Sequence, residues 1–213
     1  MVRRWFVMSL LTARHSGSFE SQFEQDVRMF LDQDPLLYAE QVFQGALSDA
    51  FWDIVLPQNL VSSSGNNQMF HLYKAAQIRL NDKGFLSSDI GVKDLVEVKS
   101  DVHHVFPRDL LRKHGLPQSQ YNQIANYVIA QSDINIKISN KEPAVYMREI
   151  HEQVNGGPVT YGNITDKDRL CENLRMNCIP DGVMDMSLAD YPAFLEERRK
   201  LMAKKIRTFF EGL

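Results

Sequence analysis

Two histidines stand side by side between apolar residues, in the run Val102-His103-His104-Val105-Phe106-Pro107-Arg108-Asp109-Leu110-Leu111. Imidazole changes charge near neutrality, so it can take or give a proton at physiological pH, and its neutral form also ligates metals. In an extended strand, successive side chains point to opposite faces. His103 and His104 would therefore diverge unless the strand ends there and the backbone bends. A bend would let two imidazoles serve one site from different angles. Two asparagines, Asn126 and Asn135, follow in the same central region.

The elements that must position these residues can be read from the pattern around them. Val96 to His104 alternates weakly, which predicts a strand. Pro107 to Lys113 predicts a short helix stopped by Gly115, and Pro117 to Ala125 a further helical turn. Tyr127-Val128-Ile129-Ala130 is a short β-prone run. Ser132 and Asp133 look like helix-start residues. Pro143 opens another helix that runs to about His151.

The flanks read as helical. Arg3 to Ala13 predicts a helix with no capping residue before it. Ser18 to Leu31 places Phe19, Phe23, Val27, Phe30 and Leu31 on one helical face. Within it, Ser21 and Glu24 have capping-box spacing and predict the helix start. Pro35 to about Leu47 predicts a helix with Leu36, Val42, Phe43 and Leu47 buried, and Phe51, Trp52, Ile54, Val55 and Leu56 form an apolar cluster expected in the core. Pro57 to Asn67 is a loop rich in Ser, Asn and Gly. Gln68 to Leu80 is a helix with Met69, Leu72, Tyr73 and Ala76 inward, and a loop follows to Gly91. After a loop at 154–163, Thr165 to Met176 is helical and Pro180 to Ser187 connects. Asp190 to Glu211 predicts a long amphipathic helix. Tyr191, Phe194, Leu195, Leu201, Met202, Ile206 and Phe209 lie on one side, and Arg198, Arg199, Lys200, Lys204, Lys205 and Arg207 on the other, read as a solvated face. The expected class is α+β, predominantly α-helical with one small β element in the centre. The expected parts are a helical scaffold at 1–95, a chemical unit at 96–150 and a C-terminal helical part at 151–213, in one compact domain.

The 213 residues are 44% hydrophobic, enough for one core. A net charge of −3 and a pI near 6.1 give no overall support for nucleic-acid binding. The distribution says more: residues 15–60 hold eight acids against one strong base, a net of −7, whereas residues 99–148 hold seven bases against four acids, a net of +3. Cys171 and Cys178 are too few for a disulfide framework or a four-cysteine zinc site, and a reducing cytoplasm is the simplest setting. The N-terminus resembles a signal peptide only faintly, with a short apolar run and a poor cleavage site at Thr12-Ala13-Arg14-His15. No stretch is long enough and free enough of charge to span a bilayer.

The order strand, His-His, bend at Pro107, helical spacer, β-prone run after Asn126 and helix near Asn135 resembles the HNH, or ββα-metal, endonucleases. In that family two strands and a helix hold one divalent metal against a phosphodiester. Carried over residue by residue, the resemblance makes His104 the general base that deprotonates water and His103 a metal ligand. Asn126 becomes the residue that orients the loop and supports the base, and Asn135 the second metal ligand. Asp133 is placed to assist, and Lys137 or Lys141 to contact phosphate. The chemistry is consistent: neutral imidazole can deprotonate water near pH 7, a metal stabilises the leaving oxygen, and Mg²⁺ keeps several waters and needs few protein ligands. His at 103, where many members have Asp, suits softer metals, so Mn²⁺ or Ni²⁺ is expected to serve beside Mg²⁺. Many HNH enzymes brace the motif with Cys-x-x-Cys pairs around zinc. This chain has none, so packing must brace it.

A closer likeness extends over nearly the whole chain. Arg3-Arg4-Trp5-Phe6, Val102 to Leu111, Ser139-Asn140-Lys141-Glu142-Pro143 and the helix from Phe194 to Phe210 are similar to the C-terminal nuclease half of GmrSD-like proteins, modification-dependent restriction enzymes of bacterial phage defence. There a separate N-terminal domain carries a nucleotide-hydrolysing motif of the Asp-Gly-Gln-Gln-Arg type, absent here. The implied partners are DNA and a nucleotide-hydrolysing N-terminal domain or subunit. The rival reading is a catalytically inactive remnant that binds DNA or a partner, with the acidic 15–60 region as its docking surface.

Overall fold

The computed structural model describes residues 1–98 and 102–213. It is mostly helical, with a two-stranded antiparallel sheet among the described residues. No helix among them is long and apolar enough to cross a membrane.

The chain opens with α1 (Val2–Leu11), α2 (Phe19–Asp32) and α3 (Pro35–Ala46). Helix α3 begins as its sequence demands: Asp34 Oδ1 accepts from Leu36 N at 2.8 Å and Leu37 N at 3.0 Å, and Pro35 fills the first turn where no N–H is needed. Helix α2 starts at Phe19, ahead of the expected Ser21–Glu24 box, and Ser18 makes no side-chain cap. A widened π-turn at Phe51–Val55 leads into α4 (Leu56–Asn59), with Leu56 N–H reaching back to Phe51 O. The wider turn accommodates Pro57, which has no N–H to return to the preceding turn. Helix α5 (Gln68–Arg79) is capped by Asn67, whose Oδ1 accepts from Met69 N at 2.8 Å, and it buries Met69, Leu72, Tyr73 and Ala76 as predicted.

Three apolar expectations fail on this side. Phe19, Phe23, Val27 and Leu31 are exposed, as are Leu36, Ile54 and Val55. The residue that α2 buries is Asp26. Its carboxylate accepts from Arg14 Nε at 2.9 Å, Arg14 Nη2 at 2.6 Å, Tyr38 OH at 2.7 Å and Gln22 Nε2 at 3.2 Å, and it pairs with His15 Nε2 at 3.0 Å. The polar cluster, with Phe30 packed against Trp5 and Tyr38, replaces a purely apolar seam between α1, α2 and α3.

The Asp26 cluster makes folding pH-dependent. Burial pushes the carboxyl up, but the bonds from Arg14, Tyr38 and His15 outweigh it and hold the group at about 2. The unfolded value is about 3.9. The native pKa is therefore the lower one, and the stabilisation is present above about pH 4 and lost as pH falls toward 2. It amounts to about 2 kcal/mol. In urea titrations, Asp26→Asn is expected to be less stable than the parent at pH 6, with a gap that narrows toward pH 2.5. A gap independent of pH would remove the linkage.

Helix α6 (Val92–Glu97) takes the first two residues of the predicted strand, Val96 and Glu97. Asp94 Oδ2 accepts from Gly91 N at 3.1 Å and starts the helix, so the strand predicted for 96–104 survives only at its end. Residues 99–101 of that prediction lie outside the described residues. Strand β1 (Val102–His104) follows, then α7 (Arg108–Lys113), α8 (Gln118–Tyr121), a short turn at Ile124–Asn126, β2 (Tyr127–Ile129) and α9 (Ser132–Ile138). The strands pair in the register Val102↔Ile129, His103↔Val128, His104↔Tyr127. Helices α10 (Pro143–Val154), α11 (Lys167–Met176) and α12 (Tyr191–Glu211) complete the chain. Core residues from all three predicted parts join one cluster. Four ring contacts link them: Phe210 of α12 packs on Phe43 and Trp52, and Phe194 and Tyr191 pack on Phe106.

Arg198 overturns the solvated face assigned to it. It is fully buried. Its Nη1 donates to Ala125 O at 2.8 Å, and its Nη2 to Tyr127 O at 2.7 Å and Asn177 O at 3.1 Å. One guanidinium thus clamps the backbone entering β2 against α12.

Candidate active site

The local order is β1, spacer, β2, α9. It brings His103, His104 and Asn135 to the wall of one cleft of about 400 Å³, together with Val102, Pro107, Arg108, Asp109, Ser139 and Asn140. His103 and His104 share the cleft because β1 ends at His104 and the chain turns through Val105, Phe106 and Pro107.

That turn is fixed atom by atom. Val105 N donates to Asn126 O at 2.9 Å, and Val105 O accepts from Tyr146 OH at 3.0 Å. Phe106 N donates to Asn126 Oδ1 at 2.8 Å, and Phe106 O accepts from Asn126 Nδ2 at 3.0 Å. Every backbone polar group of both residues is therefore satisfied inside the protein, which a buried turn requires. Asn126 is itself fully buried and does not line the cleft. Its amide bonds to the backbone of Phe106, in the turn that follows His104. Arg198 holds the carbonyls of Ala125 and Tyr127, on either side of it.

His104 lies edge-on to the Tyr127 ring, with centroids 5.0 Å apart. Its Nε2 is 3.1 Å from Asn122 Oδ1. Burial pushes its pKa below the ordinary imidazole value; the Asn122 bond opposes this, and Arg108 and His103 add to the lowering. The neutral form of the ring is the one favoured. His103 is buried against the cleft.

The supporting candidates separate. Residues two apart on a helix lie on opposite sides, so Asp133 turns away from Asn135. It lines a different recess with Ser87, Asp89, Gln131, Gly162 and Asn163. Lys137 is exposed, again two residues from Asn135, and is not among the cleft residues. Lys141 is engaged elsewhere: its Nζ lies 2.6 Å from Glu149 Oε2 and 2.6 Å from Tyr161 OH, and Tyr161 OH also donates to Glu149. Ser139, one turn beyond Asn135, does reach the cleft, as do Arg108 and Asp109 in the first turn of α7. Ser139 was legible as the i+4 neighbour of Asn135. Arg108 and Asp109 were legible from the Pro107 bend that the histidines share.

The cleft wall carries imidazole, amide, carboxylate and hydroxyl groups, the kinds of donor a hydrated divalent cation accepts, together with the Arg108 cation. No group of three or more His, Cys, Asp or Glu side chains among the described residues is arranged to hold a metal. An ion held here would draw on amide oxygens and water besides the His103 imidazole. Asp109 is also paired with Arg112 Nη2 at 3.3 Å and more loosely with Arg108 Nε at 3.9 Å.

The chain is 24% identical over 220 residues to an uncharacterized protein of Methanocaldococcus jannaschii, a match covering 96% of this chain and 36% of that protein. The chain thus spans little more than a third of the length of this curated relative. No protein-family model matches the chain, and no solved structure matches it.

Proposed function

We propose that this chain is a metal-dependent HNH endonuclease that hydrolyses DNA phosphodiesters, as the nuclease part of a restriction or phage-defence system. The observation that carries the reading is the convergence of His103, His104 and Asn135 on one cleft, with the turn between strand and helix braced by Asn126. His104 takes a proton from water as that water attacks phosphorus. The opposite P–O bond breaks, and the leaving oxygen takes a proton from solvent. His103 and Asn135 would hold a divalent ion, Mg²⁺ or Mn²⁺, which supplies positive charge at the leaving oxygen. Arg108, exposed at the cleft, is the cation best placed to meet a phosphate, in place of Lys137 and Lys141.

Supercoiled plasmid incubated with the chain and Mg²⁺ or Mn²⁺ should become nicked or linear, and chelation should stop the reaction. Plasmid that stays supercoiled with either metal overturns the reading. A second reading, a non-catalytic module that docks a partner, is favoured by the exposed apolar side chains of α1 to α3, namely Phe6, Phe19, Phe23, Leu31, Leu36 and Leu37. It requires that Mn²⁺ calorimetry show no binding that His103→Ala removes.

A further inference from the structure

The His-His and Asn-Asn pattern does not contain the residue that hydrogen-bonds the His104 ring. That residue is Asn122, half-buried at the end of α8. Its Oδ1 lies 3.1 Å from His104 Nε2. An amide oxygen only accepts hydrogen bonds, so this contact requires the proton on Nε2 and leaves the lone pair on Nδ1. The ring is held from a second side by the edge-on Tyr127 contact, so its plane is constrained as well as its tautomer.

Asn122 is fixed in turn. Its backbone N–H donates to Gln118 O at 3.0 Å. The Tyr191 hydroxyl donates to Gln120 O at 2.9 Å and lies 3.4 Å from Tyr121 O. Asn126 Nδ2 reaches Tyr121 O at 3.5 Å. The spacer that carries Asn122 is therefore tied both to the start of α12 and to the asparagine that braces the turn after His104.

We propose that Asn122 is the positioning residue of this site, holding His104 as the Nε2–H tautomer so that Nδ1 is the atom that receives the proton from water. The consequence for catalysis rests on the nuclease reading, whereas the tautomer does not. A base presented in the wrong tautomer offers an N–H where a lone pair is needed, so the loss falls on turnover and not on DNA binding.

The test uses the full chain labelled with ¹⁵N-histidine at a pH where His104 is neutral, with the His104 signals assigned by their loss in His104→Gln. The parent should show a protonated Nε2 and an unprotonated Nδ1. Asn122→Leu removes the acceptor at similar volume and should shift His104 toward the other tautomer. Asn122→Asp keeps an acceptor oxygen and should retain the parent tautomer. On plasmid, Asn122→Leu should lose about tenfold or more in kcat with KM unchanged, and Asn122→Asp should recover most of it. A parent His104 carrying its proton on Nδ1, or an Asn122→Leu spectrum identical to the parent, overturns the inference. A parent with the Nε2–H tautomer that leaves DNA intact overturns the nuclease reading alone. A parent that cuts DNA with the proton on Nδ1 overturns this inference alone.

Discussion

Replacing His104 by alanine is expected to slow plasmid cutting by about 10²–10⁴-fold, the range that a positioned general base contributes. In barrier terms that is about 3–5 kcal/mol. The stability cost should be smaller. His104 makes one hydrogen bond to a neutral amide, worth about 1 kcal/mol net, and one edge-on ring contact, worth about 1 kcal/mol. The variant should therefore remain folded at 25 °C, which a melting curve checks before rates are compared. His104→Gln is the companion variant: it fills more of the space and can still bond to Asn122, yet it cannot take a proton at neutral pH. Both should be equally slow. Cutting by His104→Ala at the parent rate would remove His104 from the chemistry and the nuclease reading with it.

The local elements that bring His103, His104 and Asn135 to one cleft were more legible in the sequence than the packing of the scaffold around them. The histidine pair, the Pro107 bend and the β-prone run at Tyr127 are short, local signals, and local signals survive folding. The hairpin register that sets His104 opposite Tyr127 follows from where β1 stops and β2 begins. What sequence reasoning missed was carried by contacts between distant segments. Asn122 looks like any turn residue until the spacer folds back on β1. The strand predicted from Val96 is cut short because the Asp94 carboxylate, accepting from Gly91 N–H, starts a helix that runs through Glu97.

Two charged side chains are buried for the same reason. Asp26 and Arg198 stand at helical positions that face inward. Arg198 sits four residues after Phe194 and four before Met202, both fully buried, so the helical period puts it within the apolar stripe of α12. Asp26 lies four residues before Phe30, which packs against Trp5 and Tyr38. In both cases the cost of burying charge is offset by bonds that only the folded chain supplies, and such partners cannot be seen in a window of sequence. The apolar residues displaced from the interior of α2 are then left at the surface.

Arg198→Met is expected to destabilise the fold by about 3 kcal/mol or more, a large share of the roughly 5–15 kcal/mol that holds a domain together. Removing the guanidinium relieves the cost of burying one charge, which by itself would stabilise the variant. It also leaves the carbonyls of Ala125, Tyr127 and Asn177 without this donor in a dry interior, at about 1–3 kcal/mol each where no other donor reaches them. Three acceptors outweigh one desolvated cation. Arg198→Lys should recover only part of the loss, because a single ammonium cannot reproduce a fork that spans Ala125 O and Tyr127 O. Urea unfolding gives the stabilities, and a methionine variant as stable as the parent would refute the clamp. Activity should fall further than stability predicts at temperatures where the variant is folded. The carbonyls that Arg198 holds flank Asn126, Asn126 holds both backbone groups of Phe106 and the N–H of Val105, and those residues form the turn that follows His104. Loosening the clamp on α12 therefore reaches the imidazole through these hydrogen bonds and the backbone they hold, and the measured quantity that separates this from simple unfolding is kcat of the folded Arg198→Lys variant.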